Sequence, residues 1–93
     1  MATACARHIL VKTKEEAEII KKQLAEGKDF ALLAKKHSLC KSSSKKGGDL
    51  GEFSPGKMVK AFDNVVFKKP VLKIHGPIKT QFGFHLIETI YRS

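Results

Sequence analysis

The stretch from Gly47 to Phe62, GGDLGEFSPGKMVKAF, constrains this chain more than any other. Gly48 and Gly51 bracket Asp49-Leu50, which predicts backbone with unusual dihedrals or a close approach that a Cβ would forbid. Ser54-Pro55-Gly56-Lys57 reads as a type II turn, with proline presetting φ at the second position and glycine accepting positive φ at the third. Beyond the turn, Met58, Val59, Phe62 and Val66 recur at helical spacing, which predicts a helix over 58–67 with one apolar face.

The flanking segments supply partners for that unit. Residues 5–11 alternate as a strand, with Ala6, His8 and Leu10 on one side and Arg7, Ile9 and Val11 on the other. Thr13-Lys14-Glu15-Glu16 is a capping box opening a helix that carries Ala17, Ile20 and Leu24 on one face and stops at Gly27. Asp29 can cap a second helix with Phe30, Leu33 and Ala34 buried. From Ser38 to Gly48 the chain turns polar and basic, a loop with room for one helical turn after Cys40. A short strand over 50–53 precedes the turn, and Lys68-Lys69-Pro70 ends the helix after it. Residues 74–80 and 84–91 read as strands joined by a tight turn at Gln81-Phe82-Gly83, with Pro77 near the start of its strand or on an edge. The order β-α-α-α-β-α-β-β predicts an α+β fold, a four-stranded, mostly antiparallel sheet surrounded by about four helices.

At 93 residues the chain has room for one domain, over residues 1–93. No segment approaches the roughly 18 apolar residues of a membrane helix. The start lacks the basic and apolar regions of a signal peptide, and two cysteines do not make a disulfide framework. Together these predict a cytoplasmic protein with reduced thiols. The net charge of +9 bears on partners rather than on fold. Lys35, Lys36, Lys41, Lys45 and Lys46 crowd one segment. Lysine outnumbers arginine 16 to 2, which favours diffuse attraction to anionic membrane or nucleic acid over a specific phosphate pocket. A solvated, solubilising surface is the plain alternative.

Four ordered blocks resemble the parvulin-type peptidyl-prolyl isomerases. They are His8-Ile9-Leu10-Val11-Lys12 on the first strand, Phe30 through Ser38 and Cys40, the segment GGDLGEF with the helix after it, and Thr80-Gln81-Phe82-Gly83-Phe84-His85-Leu86-Ile87. The resemblance covers nearly the whole chain. It implies the parvulin variant of the FKBP-like superfold, no cofactor and no metal. The activity implied is acceleration of X–Pro rotation in peptides and in unfolded or flexible protein segments, without a covalent step. The connection after the first strand is only Lys12-Thr13, too short for the basic loop with which phosphate-specific parvulins read phosphoserine. The expected substrates are therefore unphosphorylated, and the expected state is a monomer, with a membrane-peripheral position left open by the lysines.

The resemblance also assigns residues. His8, Cys40, Thr80 and His85 would be catalytic: the histidines share a hydrogen bond, the Thr80 hydroxyl fixes their tautomers, and Cys40 faces the isomerising peptide. Leu10, Met58, Val59, Phe62 and Phe82 would bind substrate, Val59 only through its backbone, and Gly83 would let His85 approach. Taken alone, the apolar members read as core, Cys40 as a small buried hydrophobe and the histidines as packing residues. Cys5-x-x-His8 and His37-x-x-Cys40 have zinc-like spacing, but positions i and i+3 of a strand point to opposite faces. The alternative to an enzyme is a chaperone or binding module that docks through its lysine-rich face.

Overall fold

A computed structural model describes residues 2–93. Four strands, β1 (Ala4–Val11), β2 (Asp49–Phe53), β3 (Ile74–Thr80) and β4 (Gly83–Arg92), form one sheet in the order β2-β1-β4-β3. Every neighbouring pair is antiparallel. The helices are α1 (Lys14–Ala25), α2 (Phe30–His37), the single turn α3 (Lys41–Ser44) and α4 (Lys60–Lys68). The α+β class and element order match the sequence reading.

The caps explain why two helices begin where they do. The Glu16 amide donates to the Thr13 hydroxyl at 3.1 Å, and the Leu32 amide donates to Asp29 Oδ1 at 3.2 Å, each satisfying an orphan donor of a first turn. Both faces of the sheet are covered. Ile9, Val11 and Leu86 pack against Ala17 and Ile20 of α1 and Phe30 of α2. On the other face Ala4, Ala6 and Ile87 pack against Phe62, Val65 and Val66 of α4. Strand alternation therefore sends His8 to the α4 face and Arg7, Ile9 and Val11 to the α1–α2 face.

Two details differ from the sequence reading. The helix after the turn starts at Lys60, not Met58: Val59 is its N-cap, with extended dihedrals (φ −60°, ψ 152°). Met58 and Val59 thus lie on the approach to the helix rather than on its apolar stripe. The turn itself is as read, with Gly56 at φ 90° and the Lys57 amide donating to the Ser54 carbonyl. Gly83 does not make room for His85; a Cβ there would stand 2.5 Å from the Val11 carbonyl oxygen, so it is β1 that needs the glycine. Gly48 is a close approach as predicted. Its carbonyl accepts the His8 amide at 2.9 Å, and a Cβ on it would meet the His8 carbonyl at 2.5 Å.

Pro77 lies on β3, an edge strand, where a missing N–H breaks no ladder on the open side. Among the described residues no helix is long and apolar enough to cross a membrane.

Candidate active site

On the α4 face the strands leave a cavity of about 350 Å³, open to solvent, over the middle of β1 and β4. β1 contributes His8 and Leu10, β4 contributes His85, and β2 contributes Leu50. Met58, Val59 and Phe62 close one side, and Cys40 and the hairpin residue Phe82 form the lip. The structure thus brings eight of the nine sequence-assigned site residues to the wall of one cavity. The ninth, Thr80, stands behind His85. Phe82 is 59% exposed, so it is an exposed lip rather than a packed wall. Sequence reasoning missed Leu50 and, more consequentially, Ser43. The signal for Leu50 was present, since it shares the glycine-bracketed pair with Asp49. For Ser43 there was none, because three adjacent serines look alike.

The floor of the cavity is the histidine pair. His8 Nδ1 and His85 Nδ1 lie 3.0 Å apart, and Phe62 presents its ring edge-on to both, with centroids 5.5 Å away in each case. Each outer nitrogen has a hydroxyl partner: His85 Nε2 lies 2.8 Å from Thr80 Oγ1, and His8 Nε2 lies 3.2 Å from Ser43 Oγ. A bond between two Nδ1 atoms needs one donor and one bare acceptor, so the two tautomers differ. The ends of the chain say which is which. Ser43 Oγ donates to the Cys40 carbonyl at 3.4 Å and so is free to accept the His8 Nε2 proton. His8 Nδ1 is then the acceptor for His85 Nδ1–H. The bare His85 Nε2 accepts the Thr80 hydroxyl, which itself accepts the Phe82 amide at 3.2 Å. One consistent direction runs from the β3–β4 hairpin to the loop that carries Cys40.

Burial makes this pair neutral. His8 and His85 are 5% and 4% exposed. Desolvation of the charged form, reinforced at His8 by the neighbouring ring, lowers both from the ordinary 6.5 to about 4. At neutral pH the floor carries no charge. The Cys40 thiol behaves differently: burial raises its pKa, but hydrogen bonding from Ser43 and Ser42 outweighs that and lowers it from the ordinary value. Its sulfur is 3.7 Å from the Ser42 hydroxyl. Neither histidine is bonded to that sulfur, so no base is poised to activate it.

The backbone at the cavity edge is partly committed. The Val59 carbonyl accepts the Asp63 amide at 3.0 Å, leaving the Val59 amide as the polar group there. Asp63 Oδ2 in turn accepts the Gly56 amide and ties the turn to α4. The five lysines of segment 35–46 are all exposed. Lys35 and Lys36 sit on α2, which packs on the far face of the sheet, whereas Lys41, Lys45 and Lys46 follow the lip residue Cys40.

An antiparallel α+β domain with an apolar cup above a neutral, tautomer-locked histidine pair defines a binding site for an uncharged group with a peptide alongside. Residues 2–92 match the PPIC-type PPIASE domain, and the chain belongs to that family, the parvulin-type peptidyl-prolyl isomerases. It is 56% identical over 88 residues to the foldase protein PrsA of Exiguobacterium sibiricum, covering 94% of this chain and 29% of that one. The chain spans less than a third of the curated PrsA relatives it matches. Among solved structures, PrsA from Bacillus anthracis superposes with a TM-score of 0.95 at 37% identity, over 99% of this chain and 42% of that one. NmPin, the parvulin of Nitrosopumilus maritimus, superposes with a TM-score of 0.87 at 40% identity, over 98% of both chains.

Proposed function

We propose that the chain is a peptidyl-prolyl cis/trans isomerase acting on X–Pro bonds of peptides and unfolded or flexible protein segments, by twisting a bound amide and without a covalent intermediate. The observation that carries this reading is the apolar cavity floored by an uncharged histidine pair. Amide resonance opposes rotation with a barrier of roughly 18–20 kcal/mol. The twisted amide is less dipolar than the planar one and its nitrogen more basic, so a dry cup favours it over the ground state. A rate gain of about 10⁵ needs only about 7 kcal/mol of such preference.

In this reading Met58, Phe62 and Phe82 grip the proline ring, with Leu10 and Leu50 at its edge. The Val59 amide is placed for the substrate backbone, and the Cys40 side chain faces the rotating bond. Thr80 and Ser43 hold His85 and His8 in opposite tautomers, so the floor neither charges nor turns. No residue is asked to donate a proton to a leaving group, since no bond breaks. The domain acts as a monomer, and its two free thiols, Cys5 and Cys40, suit the reducing cytoplasm in which we place it.

NMR exchange spectroscopy on an Ala-Phe-Pro-type peptide tests this reading. Catalytic amounts of protein should bring cis–trans exchange from tens of seconds into the range where cross-peaks appear. Unchanged exchange at a protein concentration that gives clear binding shifts would make the site a peptide-holding module instead.

A further inference from the structure

We propose that the cavity takes X–Pro segments flanked by acidic residues in preference to basic ones, a selectivity set by the separation of charge between the two faces of the sheet. This rests on the isomerase reading, since it names the substrate class of the same site. The chain has nine carboxylates, and the fold turns eight of them away from the cavity. Glu15, Glu16, Glu18 and Glu26 belong to α1 or its C-cap, and Asp29 caps α2, all on the far side of the sheet.

The three sheet carboxylates are assigned by register, because partners across a ladder share a face. Asp49 is paired with Arg7, whose guanidinium lies over the Phe30 ring of α2, and Glu88 is also paired with Arg7. Glu52 is paired with Cys5, between Ala4 and Ala6 of the α4-side core. All three therefore point to the α1–α2 face. There they are engaged by the Gly51 amide, the Arg7 guanidinium and the Tyr91 hydroxyl respectively for Asp49, Glu88 and Glu52. The ninth, Asp63, stays on the cavity side at the start of α4, where Oδ2 accepts the Gly56 amide and Oδ1 is buried without a partner.

The rim of the cavity carries the opposite sign. Lys41 directly follows the lip residue Cys40, and Lys57 and Lys60 bracket Met58-Val59. All three are exposed. Among the described residues the one ion pair is Arg7–Glu88, so none of these three ammonium groups is paired with a carboxylate, and together they outnumber Asp63, the one carboxylate on this side of the sheet. An open apolar cup with a net positive rim attracts a chain with carboxylates beside its proline and repels one with lysines there. The proline ring still supplies the anchoring contact, so the charges act on residues outside the X–Pro pair.

The test uses three peptides with one Phe-Pro core, flanked by glutamate, glutamine or lysine, and reads both kcat/KM and Kd from NMR shift perturbation. Three lysines about 10 Å from a substrate charge predict an acidic-to-basic ratio of roughly tenfold at about 10 mM salt, shrinking below about twofold at 0.5 M. Replacing Lys41, Lys57 and Lys60 together by Gln should collapse the ratio in the same way. A ratio of one or less at low salt, a ratio indifferent to salt, or one that survives in the triple variant overturns the proposal. If that variant instead loses binding to phosphatidylglycerol vesicles while its peptide ratio is unchanged, the rim is a membrane surface and the proposal also falls. Because Kd is read separately, absence of turnover on the glutamine peptide would count against the isomerase reading and leave the charge preference to be judged by binding.

Discussion

Acidifying the protein from pH 6.5 towards 4 should remove stability, because the His8–His85 pair is held neutral only in the folded state. Both groups titrate near 4 when folded, lowered by burial and, for His8, by His85 as well, against about 6.5 in the open chain. In that window the unfolded chain binds protons that the native state refuses. The stabilisation is therefore complete above pH 6.5 and is lost as the pH falls towards about 4. Each histidine lowered from 6.5 to about 4 contributes about 3 kcal/mol, and the open chain binds both protons, so the loss for the pair approaches roughly 6–7 kcal/mol by pH 4. That is a large part of the stability of a domain this size. Urea unfolding at pH 7.5, 6, 5 and 4.5 (about half-unit control suffices) should show the midpoint falling with little change in slope. The fall should begin above the range where most carboxylates titrate. A His8→Gln/His85→Gln variant should lose the dependence between pH 6.5 and 5, whatever its absolute stability. A flat midpoint across that window, or either imidazole titrating near 6.5 by NMR in the folded protein, would refute the picture of a desolvated neutral pair.

Three further outcomes follow from the same geometry. Cys40→Asp should keep kcat/KM within about one order of magnitude, while complete loss of activity in that variant would point to a covalent role for the thiol. Phe62→Ala, which removes a ring 2% exposed and edge-on to both histidines, should cost about 3–5 kcal/mol of stability by chemical denaturation. It should also cost more activity than Cys40→Ala; equal effects would mean Phe62 is not the wall of the proline cup. Gly48→Ala places a methyl 2.5 Å from the His8 carbonyl and should destabilise by about 2 kcal/mol or more, with an unchanged urea midpoint counting against the close approach.

Much of the fold was legible because local signals and periodicity agreed. Thr13 and Asp29 announced two helix starts through side chains that satisfy the first-turn amides, and the alternation along β1 sorted His8 from Ile9. Met58 and Val59 misled for a physical reason. Apolar residues that flank a helix N-terminus satisfy helical spacing without being helical, and valine at an N-cap offers no side-chain acceptor to mark the boundary. The separation of charge between the sheet faces was not legible at all. The register shifts of β1 against both neighbours near Cys5 invert the parity that simple alternation would give to Tyr91, and β2 keeps both Leu50 and Phe53 on the α4 side.

The site was legible to the extent that its members are strong residue types, and it ran out where backbone enters the chemistry. Position 40 illustrates this. The hydrogen-bond chain beneath the cavity ends on the Cys40 carbonyl, reached through Ser43, and not on the thiol. Any side chain at position 40 leaves that carbonyl in place, provided the single turn of α3 that presents Ser43 survives. The thiol is then free to serve the lip of the cup by size and polarisability alone. This separates two jobs that a sequence assigns to one residue. Backbone at Cys40 fixes the tautomer of His8 through Ser43, and the side chain lines the lip of the cavity. Disturbing the turn, as Ser43→Ala would by removing the His8 Nε2 acceptor, should release the tautomer lock of the pair, whereas changing Cys40 itself should leave the imidazole nitrogen shifts of both histidines where they were.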